Sequence, residues 1–154
     1  MEGMGNMKKI IFGLIAVMCA ISILGCAKKE VDMVALATDL LNNGMYAEEL
    51  TEVNSKITEK RYAMTDDDIE DVIAYCGTNA VVDEIAVFKA KDVDSVSEKV
   101  AEHIENQKKL FSDYRPSEVP KLDSCVIVSE GDYIIVSVSA DSAKAEEIIN
   151  KYIK

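Results

Sequence analysis

Cys26 closes the run Ile21-Ser22-Ile23-Leu24-Gly25-Cys26, at the end of an uncharged apolar stretch, Ile10 to Leu24, that starts just after Lys8 and Lys9. A thiol placed there has a chemistry of its own. Once the chain is cut after Gly25, the cysteine becomes the new N-terminus and its sulfur carries a thioether-linked lipid. Gly25 puts a small side chain just before that cysteine, at the expected cut. The apolar run is shorter than the roughly 20 residues of a spanning helix, and basic residues precede it while small ones follow, which is the layout of a signal peptide. Met1 to Asn6 reads as an extension, since Met7-Lys8-Lys9 is itself a complete start. An uncleaved N-terminal anchor is the alternative, and it would leave the rest of the chain on the same side of the membrane.

Other groups capable of chemistry are fewer. His103 is the only histidine. On a helix it falls among Val96, Val100, Gln107 and Phe111, an apolar stripe in which a buried polar group needs a partner. The sheet beside it or the Tyr114-Arg115-Pro116 segment would supply one, and a lone His without a placed carboxylate or nucleophile is not a catalytic signature. Asp66-Asp67-Asp68 with Glu70 and Asp71 is the densest acidic cluster. It lacks the central Gly and closing Glu of a calcium loop and reads as a solvated run. Ser124, Ser129, Ser137 and Ser139 sit in no GxSxG or SxxK motif, and neither a GxGxxG nor a Walker loop occurs. Gln107, Phe111, Tyr114 and Pro116 form a polar-aromatic segment around the end of a long helix. They are the candidate binding surface for an envelope protein, a peptide or a glycan, or else the connection that folds the helix back onto a sheet.

Cysteine usage and charge narrow the classes further. Cys19 leaves with the signal peptide and Cys26 is claimed by lipid, so Cys76 and Cys125 remain, both inside apolar runs. They read as small buried hydrophobes, with pairing in an oxidising compartment as the alternative. No CxxC or zinc spacing occurs, so neither a metal site nor a cofactor is expected. The chain carries 17 basic and 28 acidic residues, a net charge of −11. Removing residues 1–25 takes away Lys8, Lys9 and Glu2, leaving 15 basic and 27 acidic, a net of −12. A domain of that charge is repelled by nucleic acid and by anionic lipid, which argues against nucleic-acid binding and for a body that stands off the bilayer.

The elements that must position these residues follow from periodicity. Asp32 caps a short helix with Met33, Leu36, Ala37 and Leu40 on one face, ended by Asn42-Asn43-Gly44. It either docks on the sheet or lifts the domain from the membrane. Leu50 to Val53 reads as extended, followed by a helical turn, and Thr65 with Asp68 as a helix start. Ile69 to Cys76 fits a helical face and a strand equally well. Glu84 to Ala90 predicts a strand, Val93 to Phe111 a long amphipathic helix, and Leu122 to Ser129 a strand turning through Glu130-Gly131-Asp132 into Tyr133 to Ser139. Asp141 caps a final helix burying Ala145, Ile148, Ile149, Tyr152 and Ile153. Val87, Phe88, Ile104, Val136 and Ile149 are expected in the core and Asp67 at the surface. A chain starting near Ala47 is expected to fold without the first helix.

Two resemblances add to this. The Ile23-Leu24-Gly25-Cys26 box resembles the lipobox of bacterial lipoproteins, with Ile23 where Leu is usual. Asp83-Glu84-Ile85-Ala86-Val87-Phe88-Lys89-Ala90-Lys91, then Gln107-Lys108-Lys109, Phe111, Tyr114, Pro116, Lys121-Leu122 and Gly131-Asp132-Tyr133 resemble a family of small lipoproteins from Gram-positive anaerobes that carry a domain of unknown function. That likeness runs from about Leu50 to the C-terminus. It implies an extracytoplasmic α+β domain in which Ile69 to Cys76 is a strand beside Glu84 to Ala90. The expected organisation is a signal peptide at 1–25, a lipid-anchored N-terminus and short helix at 26–48, and an α+β domain at 49–154. Its sheet is expected to hold four antiparallel strands, ordered hairpin-helix-hairpin-helix with helices on one face. The expected function is a noncatalytic binding or accessory domain, lipid-anchored at the outer face of the cytoplasmic membrane. The alternative is a small envelope enzyme using carboxylates and His103.

Overall fold

The computed structural model describes residues 29–153. Gly25, Cys26 and the signal segment at 1–25 lie outside the described residues. The chain enters through helix α1 (Met33–Asn43), whose first turn is capped by the Asp32 carboxylate accepting from the Ala35 N–H at 2.9 Å. A three-residue strand β1 (Thr51–Val53) follows, then helix α2 (Ser55–Arg61), capped by Asn54. Strands β2 (Ile69–Cys76) and β3 (Glu84–Ala90) lead to the long helix α3 (Val93–Tyr114). A 3₁₀ turn at Pro116–Glu118 and helix α4 (Val119–Asp123) precede strands β4 (Val126–Glu130) and β5 (Tyr133–Val138) and the last helix α5 (Ser142–Ile153). No helix of the described residues is long and apolar enough to cross a membrane.

The sheet has five strands in the order β1-β2-β3-β5-β4, every neighbouring pair antiparallel. Ile69 to Cys76 is therefore a strand, and it pairs with β3 from Ile69↔Ala90 to Cys76↔Glu84 across one irregularity near Glu70. The expected four strands become five because Thr51–Val53, read only as extended, joins the edge through Thr51↔Cys76 to Val53↔Ala74. The two-residue turn Gly131-Asp132 closes β4 onto β5, with Glu130 opposite Tyr133. Gly131 sits at φ +58° and Asp132 is not in the positive-φ region, the arrangement that a type II′ hairpin turn requires.

Helices cover both faces of this sheet, which corrects the one-faced expectation. On one side α3 lays Val96, Val100, Ile104 and Phe111 against Ala86, Phe88, Ile134 and Val136. On the other, α1 and α5 lay Leu36, Leu40, Ile148 and Ile149 against Ile85, Val87 and Ile135. The physical reason is visible in the central strands. A sheet with one wet face alternates apolar and polar residues, whereas β3 and β5 are buried at almost every position. Val87, Phe88, Ile104, Val136 and Ile149 are all buried, and Asp67 is exposed.

Two local expectations also change. Thr65 and Asp68 begin no helix. Both the Thr65 N–H and its hydroxyl donate to Asp68 Oδ2, at 2.7 and 2.8 Å, and this closes a turn into β2. Leu122 belongs to α4 rather than to a strand, and its buried side chain joins the core layer under α3.

Candidate functional site

Glu84 opens β3 with a carboxylate in an otherwise apolar run, and its side chain is 3% exposed. The register that places it beside Cys76 on β2 also points it toward α3. There His103 Nε2 lies 2.9 Å from Glu84 Oε1. The second oxygen, Oε2, accepts from the Arg61 guanidinium at 3.2 Å and lies 4.0 Å from Cys76 Sγ. Burial alone would raise the Glu84 pKa. The hydrogen bond and charge of His103, with those of Arg61, outweigh it and hold the carboxyl below its ordinary value. Glu84 is thus ionised, so His103 Nε2 carries the proton of that bond and donates it.

Tyr62 completes the cluster because of how α2 ends. The Met64 N–H donates to Glu59 O at 2.8 Å and the Ala63 N–H to Lys60 O at 3.4 Å, a Schellman closure with Ala63 in the left-handed region at φ 51°. That closure seats the Tyr62 ring on the His103 imidazole, with centroids 4.0 Å apart, and edge-on to Phe88 at 5.0 Å. The Tyr62 hydroxyl is buried without a hydrogen bond of ordinary geometry. Burial first, and then the nearby Glu84 charge, push its pKa well above that of an ordinary phenol.

A cleft of about 150 Å³ opens above this cluster at the end of the sheet, walled by the β2–β3 loop and the C-terminal half of α3. Arg61, Cys76, Glu84, Val81, Val82, Gln107, Leu110 and Phe111 line it, with Glu84, Val82 and Phe111 buried at its base and Arg61 and Leu110 exposed at its mouth. The loop is held from several directions. Lys121 Nζ bridges Asp83 at 2.6 Å and Glu118 at 2.9 Å, and Glu118 accepts from the Val82 N–H at 3.2 Å. Arg115 donates to Ala80 O at 2.7 Å, and Glu48 accepts from the Thr78 N–H. Gly77 permits the close approach, since a Cβ there would stand 2.5 Å from Val81 Cγ2 and 2.9 Å from Glu48 Oε1.

Of the expected binding residues, Gln107 and Phe111 reach the cleft. Tyr114 is 65% exposed and meets Phe111 edge-on at 5.9 Å, whereas Pro116 starts the exposed 3₁₀ turn and is not part of the wall. His103 is buried beneath, one turn before Gln107. Arg61 and Tyr62 were not singled out from sequence, Glu84 entered only as the first residue of a strand, and Cys76 only as a small buried hydrophobe or a partner for Cys125. The available signal was complementary: one acid at the head of an apolar strand and one imidazole in an apolar helical stripe, each needing a partner.

Both Glu84 oxygens are engaged, and burial with the Glu84 charge pushes the Cys76 thiol up to about 11, so it is not a thiolate nucleophile near neutral pH. Cys76 and Cys125 are both free thiols. They lie near one transverse row of the sheet, but β2 and β4 are three strand spacings apart, about 14 Å, beyond the reach of a disulfide. In the acidic cluster Asp66 and Asp67 are exposed, while Asp68 accepts from Lys99 at 2.6 Å and Ser95 at 2.7 Å. Among the described residues no three His, Cys, Asp or Glu side chains gather as metal ligands.

No curated protein and no solved structure matches the chain. A family model described as a domain of unknown function, DUF4358, matches residues 42–139. The match spans Arg61, Cys76, Glu84, His103, Gln107 and Phe111, and leaves out α5 and most of α1. The chain belongs to the DUF4358 family.

Proposed function

We propose that this is a lipid-anchored, noncatalytic binding domain at the outer face of the cytoplasmic membrane, whose cleft takes a side chain from a peptide segment of an envelope protein. The cleft carries the reading. At about 150 Å³ it is smaller than the roughly 300 Å³ and more of sites that enclose cofactors or drug-sized ligands, and it matches one or two side chains. Leu110 and Phe111 offer apolar contact, while Gln107 and Arg61 offer donors. Beneath them the buried Glu84–His103 pair fixes the floor. Anchoring rests on Lys8-Lys9, the apolar run Ile10 to Leu24, and Gly25-Cys26. Several acyl chains on Cys26 would hold the domain durably, since each buried CH₂ contributes about 0.8 kcal/mol.

The enzyme reading has one feature in its favour, the imidazole 2.9 Å from a carboxylate. Against it stands the same geometry, because a carboxylate with both oxygens bonded and a depressed pKa is a weak base and no acid near neutral pH. The test uses the full chain in membranes. Leu110→Asp changes an exposed side chain and should abolish recovery of the partner without altering stability, whereas His103→Gln should leave recovery in place to the extent that the fold survives. Cys26→Ala should leave an uncleaved, unacylated precursor. Partner recovery indifferent to Leu110→Asp would sink the cleft, and turnover of an envelope substrate abolished by His103→Gln would favour the enzyme.

A further inference from the structure

The two poles of the sheet are unlike. One pole holds the ends of β2 and β3 at Cys76 and Glu84, the β2–β3 loop and the cleft. The opposite pole holds the Gly131-Asp132 turn, Lys89 and the turn at Asp66 to Asp68, tied together by the Ala90 N–H donating to Asp132 O at 2.7 Å and the Lys91 N–H to Asp68 O at 2.8 Å. The described chain begins at this second pole, where Lys29 and Glu30 share a shallow depression with Lys89, Gly131, Asp132 and Tyr133. Val31 and Met33 continue it beside Ile73 and Lys89, and α1 then runs toward the cleft pole, where Tyr46 meets Ser137 at 3.1 Å.

We infer that the domain stands on the bilayer by its β4–β5 turn, so that the cleft opens away from the membrane and takes a water-borne peptide rather than lipid headgroups. The inference rests on the anchoring at Cys26 proposed above. Cys26 and Lys29 are three residues apart, so Lys29 lies within about 11 Å of the lipidated cysteine at full extension. From Lys89 to Glu84 the strand climbs five residues, about 17 Å, which sets the cleft that much farther out. A short tether alone permits the domain to tip. Its net charge of −12 once residues 1–25 are removed works against broad contact with an anionic surface, and at this pole Lys29, Lys89 and Lys91 stand among Asp66, Asp67 and Asp132, so the contact is small and mixed in charge.

The chain contains no tryptophan, so a single introduced one reports its own position. The lipidated full chain is placed in vesicles of phosphatidylcholine and phosphatidylglycerol containing a dansyl-headgroup lipid, and energy transfer is read from Asp67→Trp, at the anchor pole, and from Ser117→Trp and Asn79→Trp, beside the cleft. All three sites are exposed, so the variants should fold. Transfer should be several-fold stronger from Asp67→Trp than from either cleft-pole variant. Equal transfer, or stronger transfer from Ser117→Trp and Asn79→Trp, overturns the orientation. Mass spectrometry of the same samples separates the premises: protein without added acyl mass removes the tether and the inference with it, whereas acylated protein with inverted transfer refutes the orientation alone.

Discussion

Glu84 is the residue on which the interior of this domain turns. Its carboxylate is buried between an imidazole and a guanidinium, and such a group is tolerated only while its partners remain. His103→Ala would strip Oε1 of its donor and leave a cavity under Tyr62, and is expected to cost about 2–4 kcal/mol in urea unfolding. The double change to Leu at both positions should cost less than the sum of the two single changes, because no buried charge then faces a missing partner between them, and Arg61, which loses Glu84, is 36% exposed to solvent. Acid should act through the same group. Glu84 and Asp68 both titrate below their ordinary values when folded, Asp68 through its bonds from Lys99, Ser95 and Thr65. Across that range the unfolded chain binds more protons. Their contribution is therefore complete above the unfolded carboxyl values, about 4, and is lost as pH falls through the folded ones. Glu84→Gln should lower stability at pH 7 and flatten this acid limb, and a stability–pH profile unchanged by the substitution would show that the cluster does not carry it.

At the scale of elements, much was legible in the sequence because the strongest patterns were long. The strand Glu84 to Ala90, the helix from Val93, the Gly131-Asp132 hairpin and the last helix all stand where periodicity and turn chemistry put them. Helices on both faces were written in Ile85-Ala86-Val87-Phe88 and Tyr133-Ile134-Ile135-Val136, which do not alternate, and a one-faced sheet is hard to reconcile with such runs. The strand β1 was harder to see. It has three residues, none of them fully buried, and it is a strand because β2 offers it an edge. Helix α1 is likewise defined by what it covers. Leu36 and Leu40 are fully buried against the α5 layer, so α1 is part of the core and no spacer. Leu40→Ala should cost about 2–5 kcal/mol in chemical denaturation. A chain starting at Ala47 should lose still more, contrary to the expectation drawn from periodicity, and equal midpoints for the full and shortened chains would return α1 to a spacer. Ala63 supplies an opposite test. Its left-handed backbone strains an L side chain, so Ala63→Gly should raise stability by roughly 0.5–1 kcal/mol, the strain relieved exceeding the added freedom of the unfolded chain.

Over the whole molecule, the candidate site was only half legible. Gln107 and Phe111 were recognisable as polar and aromatic groups ending an amphipathic helix. The Arg61 and Glu84 side of the cleft was not, since it is assembled by contacts across 23 and 19 residues of chain that no local pattern encodes. The resulting body has a sheet with two unlike poles, and the function proposed for it requires that the cleft at one of them hold a partner. A photo-crosslinking amino acid at Leu110, 58% exposed at the cleft mouth, tests this in cells against the same group at Asp67 on the opposite pole. A discrete adduct from position 110, weakened by Gln107→Lys and absent from position 67, is the expected result. No adduct from position 110, or the same adduct from both positions, would contradict the binding function assigned to the cleft.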